Sequence, residues 1–179
     1  MTLVLVHQAG ATPAVWDAVR PHLQGIPVLA VPIDRVLDEM DRAGLARATI
    51  ACVASDCCAG LSLALEQPGR VTGLGLVAPD LGACEVLDRL WEIRCRTQVL
   101  AGEQDDALRM RMIAERISAA RYIEYAGPGR ALLLERPEDV AGELAVLWAA
   151  SLDGRVSRTR GSSSLRSAGR AADSPLPAD

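Results

Sequence analysis

Six strand-like runs, Leu3 to Val6, Val28 to Val31, Thr49 to Ala54, Val71 to Val77, Thr97 to Ala101 and Arg121 to Tyr125, alternate with helix-compatible stretches along the first 150 residues. Runs this short and this rich in Val, Leu and Ile read as strands buried on both faces. Between them the pattern predicts helices from Thr12-Pro13 to about Gln24, Val36 to Ala46, Gly60 to Glu66, Val86 to Ile93, Leu108 to Ala119 and Arg136 to Ala150. Strands separated by helices are too far apart in the chain to pair as hairpins. They align in parallel by crossovers, and crossover helices cover both faces of the sheet. The expected fold class is therefore α/β, a three-layer α/β/α sandwich around a mostly parallel sheet of about six strands.

The chain has 179 residues, half of them hydrophobic, which suits one core and not two ordinary domains. Residues 1–150 are read as that domain. From 151 to 179 the composition turns to Ser, Arg, Gly, Ala and Pro with scarcely an apolar cluster, the signature of a disordered tail. A net charge of −4 offers no basic field for a polyphosphate backbone, so nucleic acid is not an expected partner. No apolar run approaches the roughly 20 residues that span a bilayer, and Met1-Thr2-Leu3-Val4 has no basic leader region. The expectation is a cytoplasmic protein without a membrane partner. Five cysteines, Cys52, Cys57, Cys58, Cys84 and Cys95, form no C-x-x-C pair. Neither a disulfide framework nor a metal site is expected from that spacing, and no motif calls for a cofactor.

Between the third strand-like run and the following helix stands Ser55-Asp56-Cys57-Cys58-Ala59. Small residues two positions either side of a nucleophile let the backbone turn tightly enough to hold that side chain clear at the end of a sheet. Cys57 is the candidate at the apex of such an elbow. A competing register puts Ser55 there, fits the helix length better, and places Val53 where the turn needs a very small residue. A third reading has no nucleophile at all.

Four segments in order carry a resemblance. Leu3-Val4-Leu5-Val6-His7-Gln8-Ala9-Gly10, followed by Trp16, resembles the first core strand and oxyanion loop of the α/β-hydrolase superfamily. The elbow with Leu63 through Val71 resembles its nucleophile helix and the entry to the next strand. Val99 through Asp105 resembles the strand that delivers the acid, and Gly127 through Val140 the loop of the catalytic histidine and the last helix. The resemblance spans roughly residues 3 to 150 and implies acyl, ester, thioester or lactone chemistry by nucleophile, base, acid and oxyanion hole.

Under that resemblance Cys57 falls at the nucleophile position, as in the dienelactone-hydrolase branch, Asp105 at the acid position, and the Cys58 N–H in the oxyanion hole. The Cys58 thiol is read as a small buried filler. Asp80 is the reserve acid, and Asp105 alternatively caps the helix that follows. Arg130 stands where the family has histidine. A guanidinium does not deprotonate near neutral pH, so a Cys-His-Asp relay is not available and the triad is degenerate. Arg130 with Asp105 instead lowers a neighbouring thiolate's pKa, or is a loop arginine without function. His7 is a substitute base or a structural residue of the oxyanion loop, and Gln8 a donor to a substrate carbonyl. His22 reads as a surface or packing residue.

The family's helical lid is expected to be reduced to Val86 to Ile93, leaving the site open and lidless. Such a site suits a bulky or carrier-tethered acyl substrate, or is completed by a second subunit through Leu90 and Trp91. Three functions follow as alternatives. The first is an enzyme using Cys57 and an oxyanion hole, including a lyase or cyclase reaction. The second is a non-catalytic scaffold binding a small molecule or partner protein, and the third a thiol-redox role for the Cys57-Cys58 pair.

Overall fold

A computed structural model describes residues 1–127 and 129–152, with Arg130 described by its backbone alone. Six strands form one sheet: β1 (Leu3–His7), β2 (Val28–Pro32), β3 (Ala48–Val53), β4 (Val71–Val77), β5 (Arg96–Gly102) and β6 (Ala120–Tyr125). Their order is β2-β1-β3-β4-β5-β6, and every neighbouring pair is parallel. The α/β sandwich read from the alternation is the observed architecture.

Successive side chains on a strand point to opposite faces, so a continuous apolar run feeds two cores at once. On β1, Val4 and Val6 join one core with Met40, Leu61, Met110 and Ile113, while Leu3 and Leu5 join the other with Trp16, Leu132, Val140 and Leu144. The first core lies beneath α1 (Val36–Arg42), α2 (Asp56–Glu66) and α3 (Ala107–Arg116); the second lies beneath α4 (Leu132–Glu135) and α5 (Pro137–Leu152). Helix α5 presses directly on β4, where a Cβ built on Gly75 stands 2.7 Å from Leu144 Cδ2. Real Cβ atoms do not come so close, so the absence of a side chain at Gly75 is what permits that approach.

The structure corrects four sequence readings. The expected first helix is two 3-10 turns, Pro13–Trp16 and Arg20–His22, because Pro21 has no N–H to continue a ladder. The stretch around Leu87–Glu92 is likewise 3-10. Helix α2 begins at Asp56, not at Gly60, so the proposed elbow pentapeptide lies largely inside its first turn. Ser151 and Leu152 close α5 rather than open a tail. The rest of the expected tail lies outside the described residues.

Candidate functional site

Parallel strands expose their C-terminal ends on one edge, and the crevice there is where loops can gather functional groups. A cleft of about 450 Å³ opens at the ends of β1, β3 and β4, lined by His7, Gln8, Thr12, Ala54, Ser55, Asp56, Asp80 and Leu133 among others. The chain leaves β3 through Ala54, whose φ of +50° is the left-handed conformation that a tight strand-to-helix turn demands. Alanine carries some strain there, which neighbouring hydrogen bonds hold in place. The Ala54 N–H donates to the Val77 carbonyl at 3.0 Å, and its carbonyl accepts from Cys57 N–H at 3.2 Å and Asp80 N–H at 3.1 Å.

The apex of the elbow is therefore Ala54, and both sequence registers are corrected. Cys57 lies in the first turn of α2 with 0% of its surface exposed, packed in the core, its thiol 3.8 Å from the Val77 carbonyl. Burial, aided by neighbouring Cys52, pushes that thiol well above its ordinary pKa, the opposite of an activated thiolate. Ser55 is exposed at the N-cap and lines the cleft, one residue past the apex. The physical reason is the helix start: beginning α2 four residues early turns Cys57 towards the sheet.

Cys58 is corrected as well. Its N–H donates to the Ser55 carbonyl at 3.3 Å, so it does not serve an oxyanion. Its sulfur is not filler either, for Cys58 and Cys84 form a disulfide that ties the first turn of α2 to the segment after β4. Spacing alone hid the pair, since only the adjacency of β3 and β4 brings the two loops together. The redox reading through a vicinal Cys57-Cys58 pair falls with this assignment.

His7 ends β1 nearly buried, with Nδ1 3.2 Å from the Gln8 carbonyl. Gln8 is exposed on the cleft wall. Asp56 is 8% exposed, and burial raises its carboxyl above the usual range, with the charge of nearby His7 acting the other way. Neither Asp56 nor Ala54 stands out in the sequence as a site residue. Ala54 has no reactive group for a chemical search to find, and Asp56 reads as a spacer within the pentapeptide.

Asp80, just beyond β4, reaches the same cleft, with Oδ1 accepting from Gly82 N–H at 3.4 Å. Asp105 does not line it. Its Oδ2 accepts from Gly102 N–H at 2.8 Å and Oδ1 from Gly129 N–H at 3.3 Å, so the carboxylate ties the loop after β5 to the loop before α4. A Cβ on Gly129 would overlap that carboxylate. The residue that caps α3 is Asp106, accepting from Arg109 N–H at 3.1 Å. Arg130 follows Gly129 in the 3-10 turn Gly129–Ala131; its side chain, and any pairing with Asp105, lies outside the described residues.

Between β4 and β5 the chain makes the single 3-10 turn Leu87–Glu92, with Leu90 buried in the core and Trp91 62% exposed. Leu90 is thereby corrected from an interface candidate to a core residue. His22 sits at the surface 3.8 Å from Glu138. Among the described residues no group of three His, Cys, Asp or Glu side chains is placed to hold a metal, and no helix is long and apolar enough to cross a membrane.

No family model and no curated protein matches the sequence. Solved structures do match in shape. A predicted CIB-like hydrolase from Thermoplasma acidophilum superposes with a TM-score of 0.71 at 19% identity, over 83% of this chain and 86% of the other. The enol-lactonase from Burkholderia xenovorans LB400 gives 0.71 at 14% identity, over 83% and 91%. A malate-bound thermophilic esterase from Thermogutta terrifontis gives 0.73 at 15% identity, over 84% and 90%. Strand order, the strained turn after β3 and these superpositions together give the chain the α/β-hydrolase fold.

Proposed function

We propose that the protein is a hydrolase-like scaffold that binds a small carbonyl-containing ligand, an acyl, ester or lactone compound, without forming a covalent acyl intermediate. The observation that carries this reading is Ala54 at the apex, with φ +50°, while Cys57 is 0% exposed. A methyl group cannot attack a carbonyl, and a core thiol with a raised pKa is not a thiolate. Binding groups remain. The backbone N–H groups of Ser55 and Asp56 precede the first intrahelical bond of α2, and Gln8, Thr12 and Asp80 add polar side chains to the cleft wall. The esterase and lactonase superpositions are compatible with a ligand of this class, since they concern the same fold.

A second reading rests on Asp56. A nearly buried carboxyl with a raised pKa beside His7 is the environment of a general base, which would direct a water at a bound ester with no nucleophile from the chain. The two separate by one set of assays. Titrating p-nitrophenyl esters and lactones into labelled protein should shift the amide resonances of His7, Ser55 and Asp56, with product release at the buffer rate. Turnover abolished by Asp56→Asn would establish the second reading. Turnover abolished by Cys57→Ala would overturn both.

A further inference from the structure

A second and larger cavity, about 580 Å³, opens at the opposite edge of the sheet, where β3, β4 and β5 begin. Its walls come from the loop before β3, the turn before β4, the start of β5 and the last turn of α5. Three of its lining residues are arginines, Arg47, Arg94 and Arg96, and none is acidic. In a chain with 23 acidic residues against 19 arginines, a cavity wall of one positive sign is a departure from the average surface. Among the described residues, no carboxylate lies within ion-pair distance of Arg47 or Arg94, whose side chains are exposed. The neighbouring Arg70 differs: Asp41 holds it at 2.6 Å, and the Leu45 carbonyl at 3.1 Å. Cys95, also in the wall, adds no negative charge, because burial pushes its thiol up to about 11.

We propose that this cavity binds an organic anion, its phosphate or carboxylate head on Arg47 and Arg94 and its apolar body on Leu45, Val71 and Leu152. Guanidinium groups present paired donors that match either head in a planar fork, and like charges along the wall of one cavity raise the potential an anion meets there. The apolar wall rewards a body that a bare inorganic ion does not have.

Calorimetric titration of the full-length chain at low salt with hexyl phosphate, hexanoate and inorganic phosphate tests the site. One saturable site is expected, tighter for the better-matched organic anion than for inorganic phosphate by about tenfold or more. The stronger of the two organic probes identifies the head. Arg47→Glu and Arg94→Glu should each weaken binding about tenfold or more, and added salt should weaken it further. Arg111→Glu, at an exposed arginine paired to Glu124 away from the cavity, should leave it unchanged. Absence of saturable binding by either organic anion would overturn the proposal, as would equal weakening by Arg111→Glu. Should a charge-reversed variant not fold, resonance shifts in the unaltered protein decide: shifts at Thr72 and Leu152 support the site, and shifts confined to Ser55 and Asp56 overturn it.

Discussion

Thiol reactivity discriminates between an elbow built on Cys57 and one built on Ala54. Iodoacetamide reacts with a thiolate it can touch, and Cys57 is 0% exposed with its thiol pushed up by burial. If only unfolding exposes it, labelling is slowed by the folding equilibrium itself, at least about a thousandfold for a domain of ordinary stability of about 5 kcal/mol or more. Cys95 provides an internal scale. It is half-buried, its pKa raised from 9.0 to about 11. At pH 8 that leaves roughly a hundredfold fewer thiolates, offset about tenfold by the greater nucleophilicity of a more basic thiol, for a net slowing of about tenfold. The assay is native labelling from pH 6 to 10 with each site followed by mass spectrometry. Cys95 should label first, its rate climbing across the whole range, while Cys57 and Cys52 wait for denaturant. A fast thiol at Cys57, reacting fully below pH 7, would refute the burial argument and restore a cysteine nucleophile.

Asp56 should make stability fall with pH. Its carboxyl is raised above 3.8, so the folded state holds the proton more tightly than the unfolded chain, and stability is lost as pH rises through that window. Asp56→Asn should narrow the difference in urea unfolding free energy between pH 4 and pH 7; a wider difference would count against burial as the cause. Reducing Cys58–Cys84, 26 residues apart, should cost about 3 to 4 kcal/mol on a loop-entropy estimate, read as a lower melting temperature, and Cys84→Ser should match it without reductant. A melting temperature indifferent to both would exclude the bond. Gly75→Ala should cost about 1 to 3 kcal/mol in chemical denaturation, because the new methyl meets Leu144; a neutral effect would mean that α5 does not press on β4 there. Ala54→Ser combined with Arg130→His should raise ester hydrolysis above background if Ala54 is the apex, whereas Cys57 variants on the same background should not change it.

Much of the architecture is legible because periodicity is a local property. Leu3-Val4-Leu5-Val6 reads as a doubly buried strand wherever it packs, and the repeated alternation with helices compels a parallel sheet. The elbow is legible as a place and misread as a chemistry. A search for reactive side chains is drawn to Ser55 and Cys57, while the feature that marks the apex is a backbone angle at Ala54, which no side chain announces. Asp105 shows the same limit. Its sequence context suggests an acid or a cap, but its two oxygens are committed to Gly102 and Gly129, a choice made by loops that meet only in the folded molecule.

The sequence by itself determined the α/β sandwich, the presence of a connection between β3 and a helix rich in small and reactive residues, and the absence of a histidine at position 130, because pattern and residue identity do not depend on the partners a residue meets. Tertiary structure alone decided that α2 starts at Asp56, that Cys57 faces the core, that Cys58 pairs with Cys84, and that Asp56 joins His7 at the cleft. Each of these depends on where a helix begins relative to a sheet edge. One residue of shift rotates a side chain by about 100°, enough to exchange solvent for core.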